Sequence, residues 1–556
     1  MTNARTARAS AVWLVVLVAG TGLSLLQTGF LFGFNNNYFH LPIVARLYDL
    51  PQFAGDAFTQ SLRAFSSGLW MLLEGSAAHV PQPALFFALL FASRALTIGG
   101  FMLIAQALGV RSRAALALVA GVAALSPLMQ GTAYAGHGGL FVNYFTHSEL
   151  ANGVTLVMLW AMQRRRVGTA IGLNGVVFFL NAFMAVWNVA PLLAMWLLAH
   201  DERATDKRTV AAPHAWRSIA AGVLVALACA APVMWRVSAT GLLASAGAPF
   251  DYRAFLLDYY PYHFLASAIP AAHWVALASV LAVAWAGLQR IGPVARPLAA
   301  ALAGYMAVYA MGIVLPWFTG SRTLLNLHLL RVSVDFHLIA ALALATSAAR
   351  SMENGDARER WVFAPLLVLC GVAHRMLLPG AAALLLVWPW WRAVLRPARW
   401  ARPAGVAVLA AAGVAAALAA ARQHAATQRM QAGLAEWQAL GKAIDERAPP
   451  MATVLIPTDA LRDIADGADS GVFAYYARRP EWVNFKAGAA VMWQPVYHDE
   501  WQRRVAEVQA LKGWDDWLAY AHRNALAFVI APCAGLPPAV PVALRSAHYC
   551  AVPVGP

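Results

Sequence analysis

Long apolar runs separated by short polar segments fill the chain from residue 11 to residue 421. There are eleven such runs with the length to cross a bilayer, since a transmembrane helix needs about 20 mostly apolar residues. The runs are 11–32, 84–108, 114–130, 148–162, 167–199, 217–237, 271–288, 297–318, 326–347, 361–391 and 403–421. This pattern predicts a polytopic α-helical membrane protein, in which chemically active groups lie in loops, in the tail or between helices.

Basic residues between the runs indicate which ends face the cytoplasm, because cytoplasmic loops are enriched in Lys and Arg. The runs 167–199 and 361–391 are basic at both ends, so each is predicted to be a hairpin of two short helices, the first turning near 181–188. The count becomes thirteen spans, with the N-terminus in the cytoplasm and the tail, 422–556, outside. An error in only one hairpin would place the tail in the cytoplasm. The predicted outside loops, called the first, second and third loops, are 34–83, 131–148 and 238–270.

The polar tail is predicted to be a soluble α/β domain. Apolar residues recur every three or four positions over 430–444 and 501–511, which indicates two amphipathic helices. Short apolar runs at 453–457 and 526–530 indicate strands. Helices that alternate with strands favour a small parallel or mixed sheet.

Composition agrees with a membrane protein and argues against a nucleic-acid partner. Hydrophobic residues make up 60% of the chain and charged residues 12%, whereas a soluble domain carries about 25% charged residues. The net charge is +15, but the basic residues are dispersed in short clusters between apolar runs. The positive-inside rule accounts for that distribution without a polyanion.

The four cysteines divide by environment. Cys229 and Cys370 lie in apolar runs and are expected to act as small core residues. Cys533 and Cys550 lie in the tail and are predicted to form a disulfide if the tail is outside the cytoplasm. No Cys or His spacing indicates a zinc site.

The first loop carries the strongest candidate for catalysis, Asp56, which lies among aromatic and small residues. Partial desolvation would raise its basicity, and it could then take a proton from an acceptor hydroxyl. A helix N-cap is the other interpretation. His40 and Asp49 lie in the same loop and are further candidates.

Polar residues near other span ends add candidate binding groups. His147 and Glu149 could face Asp56, but Glu149 could also simply complement a helix dipole beside a Ser148 cap. Arg331 and Asp335 are four residues apart, which suits either a structural ion pair or an arginine held ready for phosphate. Arg322, at a span edge, is either a second phosphate ligand or an interfacial anchor.

A long first outside loop with acidic residues, many further spans and a C-terminal outside α/β domain together resemble the GT-C superfamily of membrane glycosyltransferases. The resemblance implies transfer of a hexose or pentose from a polyprenyl-phosphate donor to a glycan, lipid or protein acceptor, at the outer face of a bacterial inner membrane. It implies that Asp56, or alternatively Asp49, acts as base or metal ligand. It further implies that Arg322 and Arg331 hold the donor phosphate while His40 and Glu149 line the pocket. The loop lacks an Asp-x-Asp pattern, so a divalent metal is left open.

Two other functions fit the same sequence. A transporter or flippase of lipid-linked or polar substrates would need polar residues along a path through several helices. A non-catalytic assembly protein would bind a partner through the tail. A lateral cavity containing Asp56 and Arg331 favours the enzyme, a central route favours transport, and a filled interior favours the assembly role.

Overall fold

The computed structural model describes residues 2–205, 215–240, 250–394, 399–457 and 470–555. Parts of the third loop and of the basic runs 200–208 and 392–402 lie outside the described residues, as do the predictions that fall on them. The helices up to the tail are α1 Thr2–Thr28, α2 Asn37–Val44, α3 Ala57–Ser61, α4 Gly68–Leu73, α5 Gln82–Ala107, α6 Arg113–Leu125, α7 His147–Gln163, α8 Val167–Leu180, α9 Ala182–Trp187, α10 Val189–Thr205, α11 Ala215–Ala239, α12 Tyr252–Tyr259, α13 Pro261–Phe264, α14 Ala271–Ile291, α15 Arg296–Phe318, α16 Arg322–Leu325, α17 Ser333–Asn354, α18 Ala364–Val372, α19 Leu378–Val394 and α20 Ala401–Arg447.

Membrane-spanning length and apolar composition occur together in nine helical stretches of the described chain. They are Ser10–Thr28, Gln82–Ala107, Ala182–His200, Trp216–Ala239, Ala271–Ile291, Pro293–Phe318, Arg322–Asn354, Arg375–Val394 and Ala401–Arg447. Two shorter apolar helices, α6 and α8, accompany them. The predicted class of helical, membrane-embedded protein is therefore confirmed.

Both predicted hairpins turn at the end of the membrane domain that carries the second loop. At the first turn, Asn181 Nδ2 donates to Ser148 Oγ at 3.0 Å. At the second, the Arg375 guanidinium donates to the Gln130 carbonyl at 3.0 Å. Since Gln130 and Ser148 flank the second loop, the two hairpins reach the same end of the helix bundle.

The last predicted span, 403–421, and the predicted tail helix, 430–444, belong to one continuous helix. The apolar run ends at residue 421, but α20 continues to Arg447 and is 47 residues long. The segment 422–430 contains neither Gly nor Pro and is rich in good helix formers, so nothing in it breaks the helix. The domain boundary expected at 421/422 therefore lies inside a continuous helix, whose last turns bury Trp437 and Ile444 in the tail core.

The tail contains a mixed sheet, as predicted. Its strands are β1 Val454–Leu455, β2 Phe528–Pro532, β3 Leu544–Arg545 and β4 Tyr549–Pro553, and its helices are α21 Phe473–Ala477, α22 His498–Gln509 and α23 Trp514–Arg523. The strand order is β1-β2-β4-β3, with β1 parallel to β2 and the other two pairings antiparallel. The predicted disulfide between Cys533 and Cys550 is present and ties the end of β2 to β4.

The first and third loops meet the tail. Trp493 Nε1 of the tail donates to the Ser61 carbonyl of the first loop at 3.1 Å. The rings of Phe250, in the third loop, and His498, at the start of α22, are 4.7 Å apart. Asn326, in the segment after α16, donates to the Met492 carbonyl at 2.7 Å. The loops and the tail thus form one assembly at one end of the bundle.

Candidate functional site

The segment before α17 brings an arginine into close contact with the second loop. Arg331 lies in a 3-10 turn, Leu329–Val332, that packs against the loop glycines. A Cβ added at Gly136 would lie 2.1 Å from the Leu330 carbonyl oxygen, and one at Gly138 would lie 2.2 Å from Val334 Cγ2. Glycine at both positions therefore allows the backbone approach that places His137 beside Arg331.

The charge of Arg331 reaches polar rings that come from several segments. Its charge acts on His137, His147, His263, His328 and Tyr144, and we call these residues together with Arg331 the Arg331 cluster. Burial lowers the pKa of His137, and the nearby charges of His273 and Arg331 lower it further. Burial lowers the pKa of His263 to about 3, with Arg331 adding to the shift. These two imidazoles are therefore neutral at physiological pH. His263 directs its single N–H from Nδ1 to the Gly136 carbonyl at 3.3 Å, so its Nε2 is an acceptor.

No acidic group neutralises Arg331 in the part of the chain that the structure describes, where its side chain forms no ion pair. The predicted ion pair with Asp335 does not form. Arg331 precedes the start of α17 at Ser333, so the two residues do not share one α-helix and the expected i,i+4 geometry is absent. Asp335 is 2% exposed, lies in the first turn of α17 and interacts with the hydroxyl of Tyr305.

Glu149 has a different role from the predicted pocket lining. Its carboxylate pairs with Arg94 of α5 at 2.8 Å, and the two side chains are 2% and 0% exposed. Arg94 also donates to the Val142 carbonyl at 2.6 Å and lies 4.0 Å from the centre of the Phe141 ring. The pair therefore joins α5, α7 and the second loop inside the bundle. The cap of α7 is Thr146, which accepts from the backbone N–H of Ser148, and not Ser148 as expected.

His40 and His147 share an aromatic pocket beside the cluster. The His40 ring stacks on Trp70 with centroids 3.9 Å apart, and Trp70 Nε1 donates to His147 Nδ1 at 2.9 Å. Burial, followed by the charges of His147 and Lys486, lowers the pKa of His40 well below its ordinary value. Lys486 belongs to the tail and donates to Asn35 of the first loop. The tail thus places a cation at the edge of this pocket.

Asp56 lies at the interface between the first loop and the tail. It caps α3, where Oδ2 accepts from the Thr59 backbone N–H at 3.0 Å, so the N-cap interpretation is confirmed. Burial raises the pKa of Asp56, against the lowering effect of the hydrogen bonds from Thr59. Its charged neighbours, Arg504 and Glu500, are tail residues.

Aromatic contacts connect the Asp56 helix to the cluster without bringing Asp56 to Arg331. The ring of Phe58 in α3 packs near Phe39 at 6.1 Å, Phe39 near Trp493 at 5.8 Å, and Trp493 near Phe65 at 5.3 Å. Phe65 in turn contacts His147 at 6.2 Å. Among the described residues, no hydrogen bond or ion pair joins Asp56 to the Arg331 cluster.

The remaining predicted site residues lie apart from the cluster. Asp49 forms a half-exposed ion pair with Arg63 at 2.7 Å. Arg322 begins α16, is partly buried, and its charge acts on Tyr252 of the third loop. The structure therefore brings together His147 and Arg331, with His40 adjoining, and separates them from Asp49, Asp56 and Glu149.

Sequence reasoning missed several residues of this region: Trp70, Arg94, Tyr144, His263, His328 and Lys486. Arg94 carried a usable signal, because a charge inside an apolar run is rare and must be paired. The histidines carried little signal, since each is isolated in its own loop. Within the described residues, no group of three or more His, Cys, Asp or Glu is arranged to hold a metal ion.

Comparison with known proteins identifies one matching segment. A family model described as a domain of unknown function (DUF6798) matches residues 435–508, which run from the end of α20 through α22. This segment includes Lys486, Trp493 and the helix that faces Asp56. No curated protein matches the chain.

Proposed function

We propose that the protein is a glycosyltransferase of GT-C architecture that binds a polyprenyl-phosphate-linked sugar at the Arg331 cluster and transfers the sugar to an acceptor outside the cytoplasm. In this proposal the chain makes thirteen spans in a bacterial inner membrane, with the loops and tail on the outer side. The disulfide between Cys533 and Cys550 supports that side, because disulfides persist in oxidising compartments.

The observation that carries the proposal is the unneutralised charge of Arg331. Placing an arginine at the centre of a membrane helix costs about 2.5–3.5 kcal/mol on insertion scales, and the buried Arg94 meets this cost with Glu149. Arg331 has no such partner among the described residues. The nearby rings of His137, His263 and His328 carry no compensating negative charge, and the N–H groups of His263 and His328 are directed at backbone carbonyls. A phosphate would supply the missing negative charge, and a guanidinium binds phosphate oxygens in a bidentate manner.

A lipid anchor for that phosphate is supported by the apolar surroundings of the cluster. His263 lines a narrow cleft whose other walls are apolar. The cleft is lined by Phe264, Gly312, Leu315, Pro316, Leu324, Leu325, Leu329 and Leu330. The volume of the cleft is only about 10 Å³, so in this proposal the hydrocarbon chain of the ligand enters by displacing the apolar side chains of its walls.

For the base we propose Asp56, whose raised pKa makes its carboxylate a better proton acceptor than an exposed aspartate. Because Asp56 does not contact the Arg331 cluster, this role requires the first loop to move toward the cluster when the donor and the acceptor bind. Its contacts with α22 put it where the tail could present an acceptor hydroxyl. No metal is required by this proposal, and a divalent ion is a variable of the assay.

The test uses the full-length protein in lipid nanodiscs with a panel of polyprenyl-phosphate sugars, scoring sugar transfer and release of the lipid phosphate. We expect release with one member of the panel, and loss of that release in Arg331→Gln. Arg503→Gln is the matched control, because Arg503 lies on the exposed face of α22. Equal release by wild type and Arg331→Gln would exclude Arg331 from the donor site.

Transport of the same class of lipid is the second candidate, and one observation favours it: no described carboxylate contacts the Arg331 cluster. A flippase would bind the phosphate head without cleaving the glycosidic bond. Movement of a labelled lipid between leaflets of proteoliposomes, with the sugar still attached, would replace the enzyme proposal with this one.

A further inference from the structure

The hydrogen bond between Trp70 and His147 determines where His147 carries its proton. Trp70 lies in α4, is 0% exposed, and its Nε1 is 2.9 Å from His147 Nδ1. An indole N–H can only donate, so Nδ1 must accept and therefore carries no hydrogen. The proton of the neutral ring is then on Nε2, which points away from the indole.

The surroundings of His147 keep the ring neutral. The His40 ring of α2 lies 5.6 Å away and nearly perpendicular, Phe65 lies 6.2 Å away, and the charge of Arg331 acts on His147 from the turn before α17. The carboxylate of Glu149, two residues after His147 in α7, is paired with Arg94. A second proton on His147 would break its bond with Trp70 and put a cation next to Arg331. Both neighbours therefore oppose protonation.

Trp70 is itself held in place, so the indole cannot turn away. His40 stacks on one face at 3.9 Å with an angle of 13° between the rings. Phe86 and Phe145 contact it at 5.7 and 5.8 Å. A phenylalanine at position 70 would keep an aromatic ring beside His40 and would remove the N–H donor together with one ring of the indole.

We propose that Trp70 is a positioning residue that holds His147 as a neutral, Nε2-protonated imidazole, and that His147 donates this N–H to an oxygen of the phosphate bound by Arg331. The hydrogen bond from His147 to the phosphate rests on the proposed function. The position of the proton on His147 does not depend on it. His147 then binds phosphate as a hydrogen-bond donor whose strength is independent of pH above its own titration, while Arg331 supplies the charge.

The ligand-free test measures how fast diethyl pyrocarbonate modifies His147 in the full-length protein in nanodiscs, by peptide mass spectrometry. The reagent acylates the unprotonated ring nitrogen, which here is Nδ1 and is blocked by Trp70. We expect Trp70→Phe to speed modification of His147 by about three- to tenfold, the range that corresponds to losing one hydrogen bond. Rates are normalised to His522, which is exposed on α23.

Trp388→Phe is the matched control, because Trp388 is also buried but its indole N–H has no partner among the described residues. This variant should leave the His147 rate unchanged. Equal rates in wild type and Trp70→Phe would overturn the assignment of the proton to Nε2.

The ligand arm measures binding of undecaprenyl phosphate between about pH 7 and about pH 4, because burial and the charge of Arg331 lower the pKa of His147 to about 4. In Trp70→Phe, Nδ1 is free to take a proton, so affinity should rise as the pH falls, and this rise should vanish in Trp70→Phe/His147→Gln. The affinity of the wild type should not show this additional rise as the pH falls. The same pH profile in wild type and Trp70→Phe would overturn the donor role of His147.

Two substitutions at His147 test the donor role without altering Trp70. The amide N–H of His147→Gln reaches the position of Nε2 and should retain binding, whereas the shorter amide of His147→Asn reaches only Nδ1 and should lose it. Equal binding by the two variants would contradict the proposal. If the wild type binds no lipid phosphate while the modification rates differ as expected, the proposed function fails and the proton assignment stands.

Discussion

Two arginines lie among the apolar helices, and their surroundings differ in one respect. Arg94 pairs with Glu149 at 2.8 Å and is completely buried. Arg331 is partly buried, faces imidazoles and Tyr144, and has no acidic partner in the described chain. The first charge is neutralised by the protein itself, while the second is available to an anion that enters from outside.

Under the proposed function, Arg94 carries a structural charge and Arg331 a ligand-binding one. A buried pair contributes little net stability, but removing one member leaves an uncompensated charge in a low-dielectric interior. A cation that lacks a carboxylate costs stability in the free protein, and a ligand that supplies the negative charge recovers that cost on binding. Substitutions at the two arginines should therefore affect different measurements.

The largest expected effect is on folding. Glu149→Ala should destabilise the protein by about 3–5 kcal/mol, because Arg94 would remain buried and unpaired. Unfolding in mixed detergent micelles measures this loss. The double variant Arg94→Met/Glu149→Leu should recover most of the stability, and a double variant as unstable as the single would show that the charges themselves are not the cause.

The second prediction gives Arg331 an acidic neighbour, as Arg94 has in Glu149. His263→Glu places a carboxylate beside Arg331, so undecaprenyl phosphate should bind about a hundredfold more weakly, since a like charge next to the ligand costs several kcal/mol. Equilibrium binding in nanodiscs measures the change. His522→Glu, on the exposed surface of α23, is the control and should bind like the wild type. Unchanged binding by His263→Glu would place the phosphate elsewhere.

Removal of Arg331 should have a smaller effect on affinity and almost none on stability. Arg331→Gln should weaken binding of undecaprenyl phosphate by about tenfold or more, the usual result of losing a hydrogen bond to a charged group. Its midpoint of unfolding should be equal to or higher than that of the wild type, because no ion pair is broken and the cost of an unneutralised charge is removed. A large loss of stability without a change in affinity would assign Arg331 the same structural role as Arg94.

The smallest effect concerns Asp56 and its dependence on pH. Burial raises the pKa of this carboxyl in the folded state, so folding favours its protonated form. That contribution to stability is fully present below the unfolded pKa and is lost as pH rises through the folded pKa. Asp56→Asn should remove this dependence and otherwise change stability by only a few tenths of a kcal/mol, since Asn is an equally good N-cap.

An assay of sugar transfer distinguishes Asp56 as the catalytic base from Asp56 as the N-cap of α3. If Asp56 is the base, Asp56→Asn should abolish transfer while the protein stays folded and binds the lipid donor. Full transfer by this variant would reduce Asp56 to a cap of α3 and leave the Arg331 cluster unaffected.

Local patterns were sufficient to predict the membrane class, the two hairpins, the mixed sheet and the disulfide. Each depends on features that the sequence states directly, namely the length of an apolar run, the placement of basic residues, or the presence of two cysteines in one polar domain. The same local reasoning treated the span 403–421 and the tail helix 430–444 as separate elements, although the residues between them continue one helix.

The partners of the charged side chains were decided only by the tertiary structure. A charge among apolar helices needs a counter-charge, but the sequence does not say which one, because partners come from segments far apart in the chain. Arg331 was paired with the nearest acid, Asp335, whereas the fold ends one helical turn and begins another between them. Glu149 pairs with Arg94 of another helix, and the charged neighbours of Asp56 belong to the tail. Length and hydrophobicity act locally and can be read along the chain, while electrostatic pairing depends on three-dimensional proximity.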